Sequence, residues 1–202
     1  EATHSSLSQM AEWLEPEAFF MRAGKLASAE LRRKLDSTNH AVTLFGTALA
    51  FLHYFEERHT HQLPEGSIAI ETGGYKGSGR EISKTELYAL FKKHLGLPPA
   101  SVFNEYGMTE LSSQFYSHGL GTPHHCPRWA RVVVINPASG LEVEDGNPGI
   151  LKIYDLANLG SVCAILTQDL AIRHGGDFEL IGRDPAALPR GCSRSADEML
   201  RR

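Results

Sequence analysis

The sequence has little cysteine and no surplus of positive charge. Its three cysteines, Cys126, Cys163 and Cys192, cannot all pair within one chain, so the expected setting is a reducing cytoplasm. Twenty Lys and Arg stand against 24 Asp and Glu, a net charge of -4. That balance speaks against a broad nucleic-acid surface, which needs surplus cations to neutralise phosphates. No apolar run approaches the ~20 residues that span a bilayer, and no signal-peptide pattern is present. Internal repeats and low-complexity tracts are missing too. The glycine-rich stretch GYKGSGRE, residues 74–81, lacks the G-x-x-x-x-G-K-[ST] spacing of a P-loop. What remains is an ordinary globular composition, 42% hydrophobic and 22% charged over 202 residues, enough for one large domain or two small ones. The chain starts at Glu1, without methionine, and runs straight into helix-like sequence; it is expected to be a fragment of a longer protein.

Residues 6–36 read as helices with a break near Glu15-Pro16, and ELRRKLD fits a surface helix. AVTLF (41–45) reads as a buried strand, after which Gly46-Thr47 opens a helix to about His59. SIAIE (67–71) is a second strand ending at Gly73-Gly74. Ser83 and Glu86 form a capping box, S-x-x-E, which satisfies free N–H groups at a helix start. Leu87, Leu90, Phe91 and Leu95 mark one face of that helix, and Gly96 and Pro98 stop it. SVF (101–103) then delivers the chain to Tyr106. This alternation of strand and helix is the pattern of a parallel sheet, whose ligands bind beyond the carboxyl ends of the strands. After about residue 125, ARVVVINP, GILKIYDL, VCAILTQDL and DFELIGR are short strands separated by turns. The expected fold is therefore α/β: a parallel sheet with flanking helices over 1–125, then a smaller antiparallel β-subdomain over 126–183, with a partly closed barrel as one form it can take. Residues 184–202 form a polar tail with a short helical end.

Two of the sheet's expected carboxyl ends carry ETGG and EYGMTE. Gly73 and Gly74 leave room for a flat ring to approach the backbone, and Tyr106 can stack on it. Thr109 can donate to a phosphate oxygen, and Glu110 can hold a magnesium ion, which prefers oxygen ligands. The structural alternative is a turn at Gly73-Gly74, with Thr109 as N-cap and Glu110 as the first-turn acid of a helix. Asp169, at the expected end of the TQDL strand, can accept from both hydroxyls of a ribose, or be an ordinary turn aspartate. Arg183 follows Gly182 at a strand end and suits phosphate or sugar oxygens, or a surface ion pair.

Cysteine positions separate by context. Cys163 in VCAIL reads as core, whereas Cys192 lies between Arg190 and Arg194 in a polar, glycine-flanked tail. Cationic neighbours favour the thiolate, so Cys192 is the candidate nucleophile, with a passive surface thiol as the alternative. TPHHCP (122–127) offers His124, His125 and Cys126, but adjacent ligands usually cannot all face one ion and no second cluster lies nearby, so zinc is not expected. HTH (59–61) reads as a solvated helix end, and 74–81, with Lys76 and Arg80, as a basic loop near the nucleotide.

The order of ETGGYKGSGREI, NEYGMTEL, PRWARVVVINP, DLANLGSV, ILTQDL and RGCS resembles the adenylate-forming superfamily, which includes acyl-CoA synthetases and luciferase. More narrowly, it is similar to the LuxE-type acyl-protein synthetases, the fatty-acid ligases of bacterial luminescence, over most of residues 41–200. The resemblance implies ATP and Mg2+ as cofactors and a carboxylic, fatty acid as substrate. It implies that Gly73, Gly74 and Tyr106 hold adenine, with Gly107 among the nucleotide-binding positions. Thr109 would contact phosphate, Glu110 magnesium, Asp169 ribose, and Arg183 ribose and phosphate. Cys192 would take the acyl group from the adenylate as a thioester and pass it to a reductase partner. An acyl- or aryl-CoA ligase of the same superfamily and a non-catalytic nucleotide-binding module are the alternatives. The superfamily's Ser/Thr/Gly-rich phosphate loop is expected upstream of residue 1, and the large C-terminal lid of acyl-CoA synthetases has no counterpart, as in the LuxE type. The chain alone is therefore expected to make acyl-adenylate inefficiently.

Overall fold

The computed structural model describes residues 6–22, 25–73 and 82–184. Gly74, the loop 74–81 and Cys192 lie outside the described residues. Among the described residues the chain divides into two compact units, one reaching Asn104 and including His118–Leu120, the other made of Glu105–Ser117 and residues 121–184.

The first unit opens with helix α1 (Ser6–Trp13), a short antiparallel ribbon of β1 (Met21–Arg22) and β2 (Lys25–Leu26), and helix α2 (Ser28–Ser37). Strand β3 (Thr43–Thr47) begins two residues later than the apolar run AVTLF suggests. It carries on through Gly46 to Thr47, whose Oγ1 accepts from the Ala50 N–H at 3.1 Å and so starts helix α3 (Ala48–Glu56). The helix stops short of His59, with Arg58 in a left-handed conformation at φ 60°. Strand β4 (Ile68–Thr72) pairs with β3 in parallel, Thr43 opposite Ile68.

Helix α4 (Lys84–Leu95) has the capping box in full: Ser83 Oγ accepts from the Glu86 N–H, and the Glu86 carboxylate accepts from the Ser83 N–H. Gly96 ends it in the left-handed region at φ 71°. The apolar faces of α3 and α4 meet in an aromatic core, with Phe51 and Phe55 ring centroids 4.7 and 5.0 Å from that of Phe91 in edge-on geometry. Tyr88, Phe91, Leu95 and Val102 are fully buried there, each burial stabilising by roughly 1.5–3 kcal/mol.

Strand β5 (Val102–Tyr106) follows, and the residue division between the units falls within it. Strand β6 (Phe115–His118), which the sequence does not signal, completes a four-stranded sheet in the order β3-β4-β5-β6. The connection from β5 to β6 is too short for a parallel crossover, and the Gly119 N–H donates to the Val102 carbonyl at 2.9 Å, so β6 runs antiparallel to β5. The sheet is thus mixed, a parallel pair with an antiparallel edge strand.

The second unit is built on β7 (Ala130–Ile135), β8 (Pro148–Asp155), β9 (Ala164–His174) and β10 (Asp177–Arg183). All neighbours pair antiparallel in the order β10-β9-β8-β7, an open meander rather than a barrel. One face packs Val132, Val134, Leu151, Ile153, Ala171 and Phe178 with Phe115 and Leu111. Register shifts occur between Ile150 and Lys152 and between Leu180 and Gly182. No described helix is long and apolar enough to cross a membrane.

Two local expectations fail. Cys163 is exposed, because β9 begins only at Ala164 and Cys163 belongs to the preceding loop. His61 is not solvated: its side chain is 4% exposed, with Nδ1 2.9 Å from Asp36 and Nε2 2.7 Å from the Tyr54 hydroxyl. Partners distant in sequence fold that histidine inward.

Candidate functional site

The second unit brings three of the sequence-predicted residues together. Tyr106, the last residue of β5, donates its hydroxyl to Asp169 Oδ2 at 2.8 Å. Asp169 lies within β9 and is paired in register with Arg183, the last residue of β10. Arg183 Nε is 4.0 Å from Asp169 Oδ1, and its terminal nitrogen donates to Gln168 Oε1 at 3.1 Å. Asp169 therefore stands in mid-strand, not at a strand end or in a turn. Its backbone N–H donates to Thr167 Oγ1, and that hydroxyl donates in turn to the Leu151 carbonyl.

The Tyr106 ring packs against three aromatic groups: Phe178 at 5.6 Å and 78°, His124 at 6.1 Å and 67°, and Phe115 at 6.2 Å. Burial, and then the negative charge of Asp169, push the phenol far above its ordinary range, so it stays protonated and donating. The result is a half-buried carboxylate held between a fixed hydroxyl and a guanidinium. Its side chain keeps 16% exposure, and two carboxylate oxygens have more lone pairs than these neighbours fill.

The next predicted residues lie just beyond Tyr106. Gly107 is exposed, and a Cβ there would overlap Oε1 of the buried Glu105. Thr109 and Glu110 occupy an exposed turn closed by the Leu111 N–H donating to the Met108 carbonyl at 3.0 Å. No helix follows, so the N-cap alternative for Thr109 falls away. Gly73 follows β4 with φ 69°, a conformation that favours glycine. It belongs to the first unit.

A supporting network escaped sequence reasoning. Asp155, at the end of β8, is fully buried. Its Oδ2 accepts from the Ser112 and Ser113 N–H groups at 2.9 and 2.8 Å, and its Oδ1 accepts from Ser113 Oγ and the Ala157 N–H at 2.8 and 3.0 Å. Asn158 donates to the Glu110 and Val162 carbonyls and accepts from Ser112 Oγ. Trp129 Nε1 donates to Ser113 Oγ at 2.8 Å. The signal available was the aspartate directly after the apolar run GILKIY, but partners more than forty residues distant are invisible to local pattern.

The histidine–cysteine cluster divides. His124 is buried, stacked on Phe178 at 5.2 Å, whereas His125 is exposed beside Asp177. Among the described residues no group of three His, Cys, Asp or Glu could hold a metal ion. Burial, then the Asp177 charge, push the Cys126 thiol up to about 11, which suppresses the thiolate.

No protein-family profile matches the chain. No curated protein matches it either. Solved structures do. MatB from Rhodopseudomonas palustris with ATP bound is similar at TM-score 0.57 and 16% identity, over 81% of this chain and 34% of that one. O-succinylbenzoate coenzyme A synthetase (MenE) from Bacillus subtilis in complex with AMP is similar at TM-score 0.55 and 18% identity, over 79% and 34%. McyG A-PCP complexed with phenylalanyl-adenylate is similar at 0.56 and 15%, over 81% and 34%. The chain thus spans about a third of these structures, which are adenylate-forming enzymes, and the likeness is one of fold.

Proposed function

We propose that this chain is part of an ATP-dependent ligase that activates a carboxylic acid as its acyl-adenylate and hands the acyl group to a protein cysteine. The observation that carries the reading is the Tyr106–Asp169–Arg183 cluster, on a fold shared with proteins whose structures hold ATP, AMP or an aminoacyl-adenylate. The donor set fits a mononucleotide. Asp169 accepts from ribose hydroxyls through its remaining lone pairs, while Arg183 neutralises the carboxylate and reaches sugar or phosphate oxygens. Tyr106 and Gly107 receive adenine, and Thr109 donates to phosphate. Glu110, exposed in its turn, would hold Mg2+, which offsets phosphate charge when bound.

In the first step a substrate carboxylate oxygen bonds to the α-phosphorus of ATP, the bond to the β-phosphate bridge breaks, and pyrophosphate leaves. The chain contributes positioning and charge stabilisation. In the second, the Cys192 thiolate attacks the acyl carbon and AMP leaves with the electron pair, its oxygen no longer bonded to carbon. The raised thiol of Cys126 makes it a poor competitor. A fatty acid is the proposed substrate, a reductase the proposed acceptor, and a reducing cytoplasm the setting that keeps Cys192 a thiol.

Intact-mass analysis of the full-length protein with ATP, Mg2+ and a panel of carboxylic acids tests this reading. A carboxylate-dependent thioester lost in Cys192→Ser supports it. Discharge of the adenylate by coenzyme A, with Cys192→Ser unaffected, supports instead a coenzyme A ligase, the reading favoured by the likeness to MenE. Failure to bind any nucleotide leaves an interaction module.

A further inference from the structure

We infer that Asp155 and Asn158 are positioning residues that set the Thr109–Glu110 turn in the geometry it needs to receive a magnesium-bound phosphate. The inference rests on the nucleotide reading of that turn. The tip of the turn, Thr109 and Glu110, is exposed, while Met108 and Leu111 on either side of it pack against the core; exposed loop tips sit at the low end of local stability. Here the far side of the turn is anchored. The buried Asp155 carboxylate takes the N–H groups of Ser112 and Ser113, along with the Ser113 hydroxyl. A carboxylate accepting several N–H bonds holds them more strongly than a neutral acceptor.

Asn158 fixes the near side, donating to the carbonyl of Glu110 itself at 2.9 Å while its Oδ1 takes the Ser112 hydroxyl at 3.1 Å. The backbone that follows the Glu110 side chain, from its own carbonyl to the Ser113 N–H, is thereby tied to one loop, 155–158. That loop is fixed in turn by the Asp155 N–H donating to the Cys163 carbonyl at 2.7 Å and the Leu156 N–H donating to the Trp129 carbonyl at 3.0 Å. The Trp129 indole closes the ring through Ser113 Oγ. A carboxylate that must meet a metal needs its backbone held in just this way, since freedom in the turn becomes entropy lost on binding.

Asn158→Ala is the variant of choice, because Asn158 is only half-buried and its loss leaves the Asp155 anchor and the core intact. Asp155→Asn is the second variant: its carboxamide keeps the shape but presents an N–H2 where two N–H groups point. Two measurements are made on the full chain. Amide hydrogen exchange over residues 109–113, without ligand, is expected to accelerate at least about tenfold in Asn158→Ala at unchanged melting temperature. Calorimetric titration of ATP at graded Mg2+ is expected to show the half-saturating Mg2+ concentration rising about 10–100-fold. Unaltered exchange and unaltered Mg2+ dependence in Asn158→Ala overturn the inference while leaving the nucleotide reading standing. A parent chain that binds neither ATP nor AMP overturns the nucleotide reading, and the inference with it.

Discussion

The hydroxyl of Tyr106 and the carboxylate of Asp169, 63 residues apart in sequence, meet in a 2.8 Å hydrogen bond. One belongs to the motif after β5, the other to the middle of β9. The contact ties the turn-bearing segment to the antiparallel sheet and sets the charged end of the candidate site.

Removing only that hydroxyl, in Tyr106→Phe, keeps the ring packing on Phe178, His124 and Phe115 but takes away a charge-assisted bond. Unfolding by urea should show a loss of about 1.5–3 kcal/mol. An unchanged midpoint would mean that solvent replaces the phenol at no cost.

A Cβ on Gly107 would overlap Oε1 of the buried Glu105, the far end of a side chain that can turn its carboxylate aside. Gly107→Ala should lower stability by no more than about 1 kcal/mol, read from the same urea curves. Gly107→Ala in combination with Glu105→Ala should recover the steric part of that loss; absence of any coupling between the two substitutions would contradict the assignment.

Alkaline pH should unfold the protein progressively. Burial, then the charges of Asp36 and Glu57, push the Tyr54 phenol up to about 12 from 10.0, and Tyr106 is raised in the same direction. Below pH 10 both phenols are protonated whether folded or not, and their contribution is complete. Between 10 and about 12 the unfolded chain releases protons that the folded chain retains, so stability falls as pH rises. Phenolate absorbance should appear together with unfolding; early ionisation of both groups in the folded state would contradict this.

Ser83→Ala tests the start of α4. Loss of the cap to the Glu86 N–H should cost about 1 kcal/mol, with faster amide exchange confined to the first turn of the helix.

That helix was also the most legible element. Ser83, Glu86 and Gly96 act on neighbours within one turn, so local sequence contains the whole cause. The β3–α3 junction slipped because Thr47 serves as both the last strand residue and the N-cap. VCAIL misplaced Cys163 because an apolar run does not reveal where a strand begins. The same blindness put Asp169 at a strand end when β9 carries on five residues further, to His174. His61 and Asp155 were missed for a different reason: their burial is decided by Asp36, Tyr54, Ser112 and Ser113, which only the folded chain brings near. Of the site, the residue types were legible, and the bond between Tyr106 and Asp169 was not.

The most direct measurement is calorimetric titration of AMP into the full chain and into Asp169→Asn, whose amide oxygen can still accept from Tyr106. Saturable one-to-one binding to the parent chain is expected, weakened at least about tenfold in Asp169→Asn through loss of charge-assisted bonds to ribose. Equal affinity in the two proteins, or no binding by the parent, would contradict it.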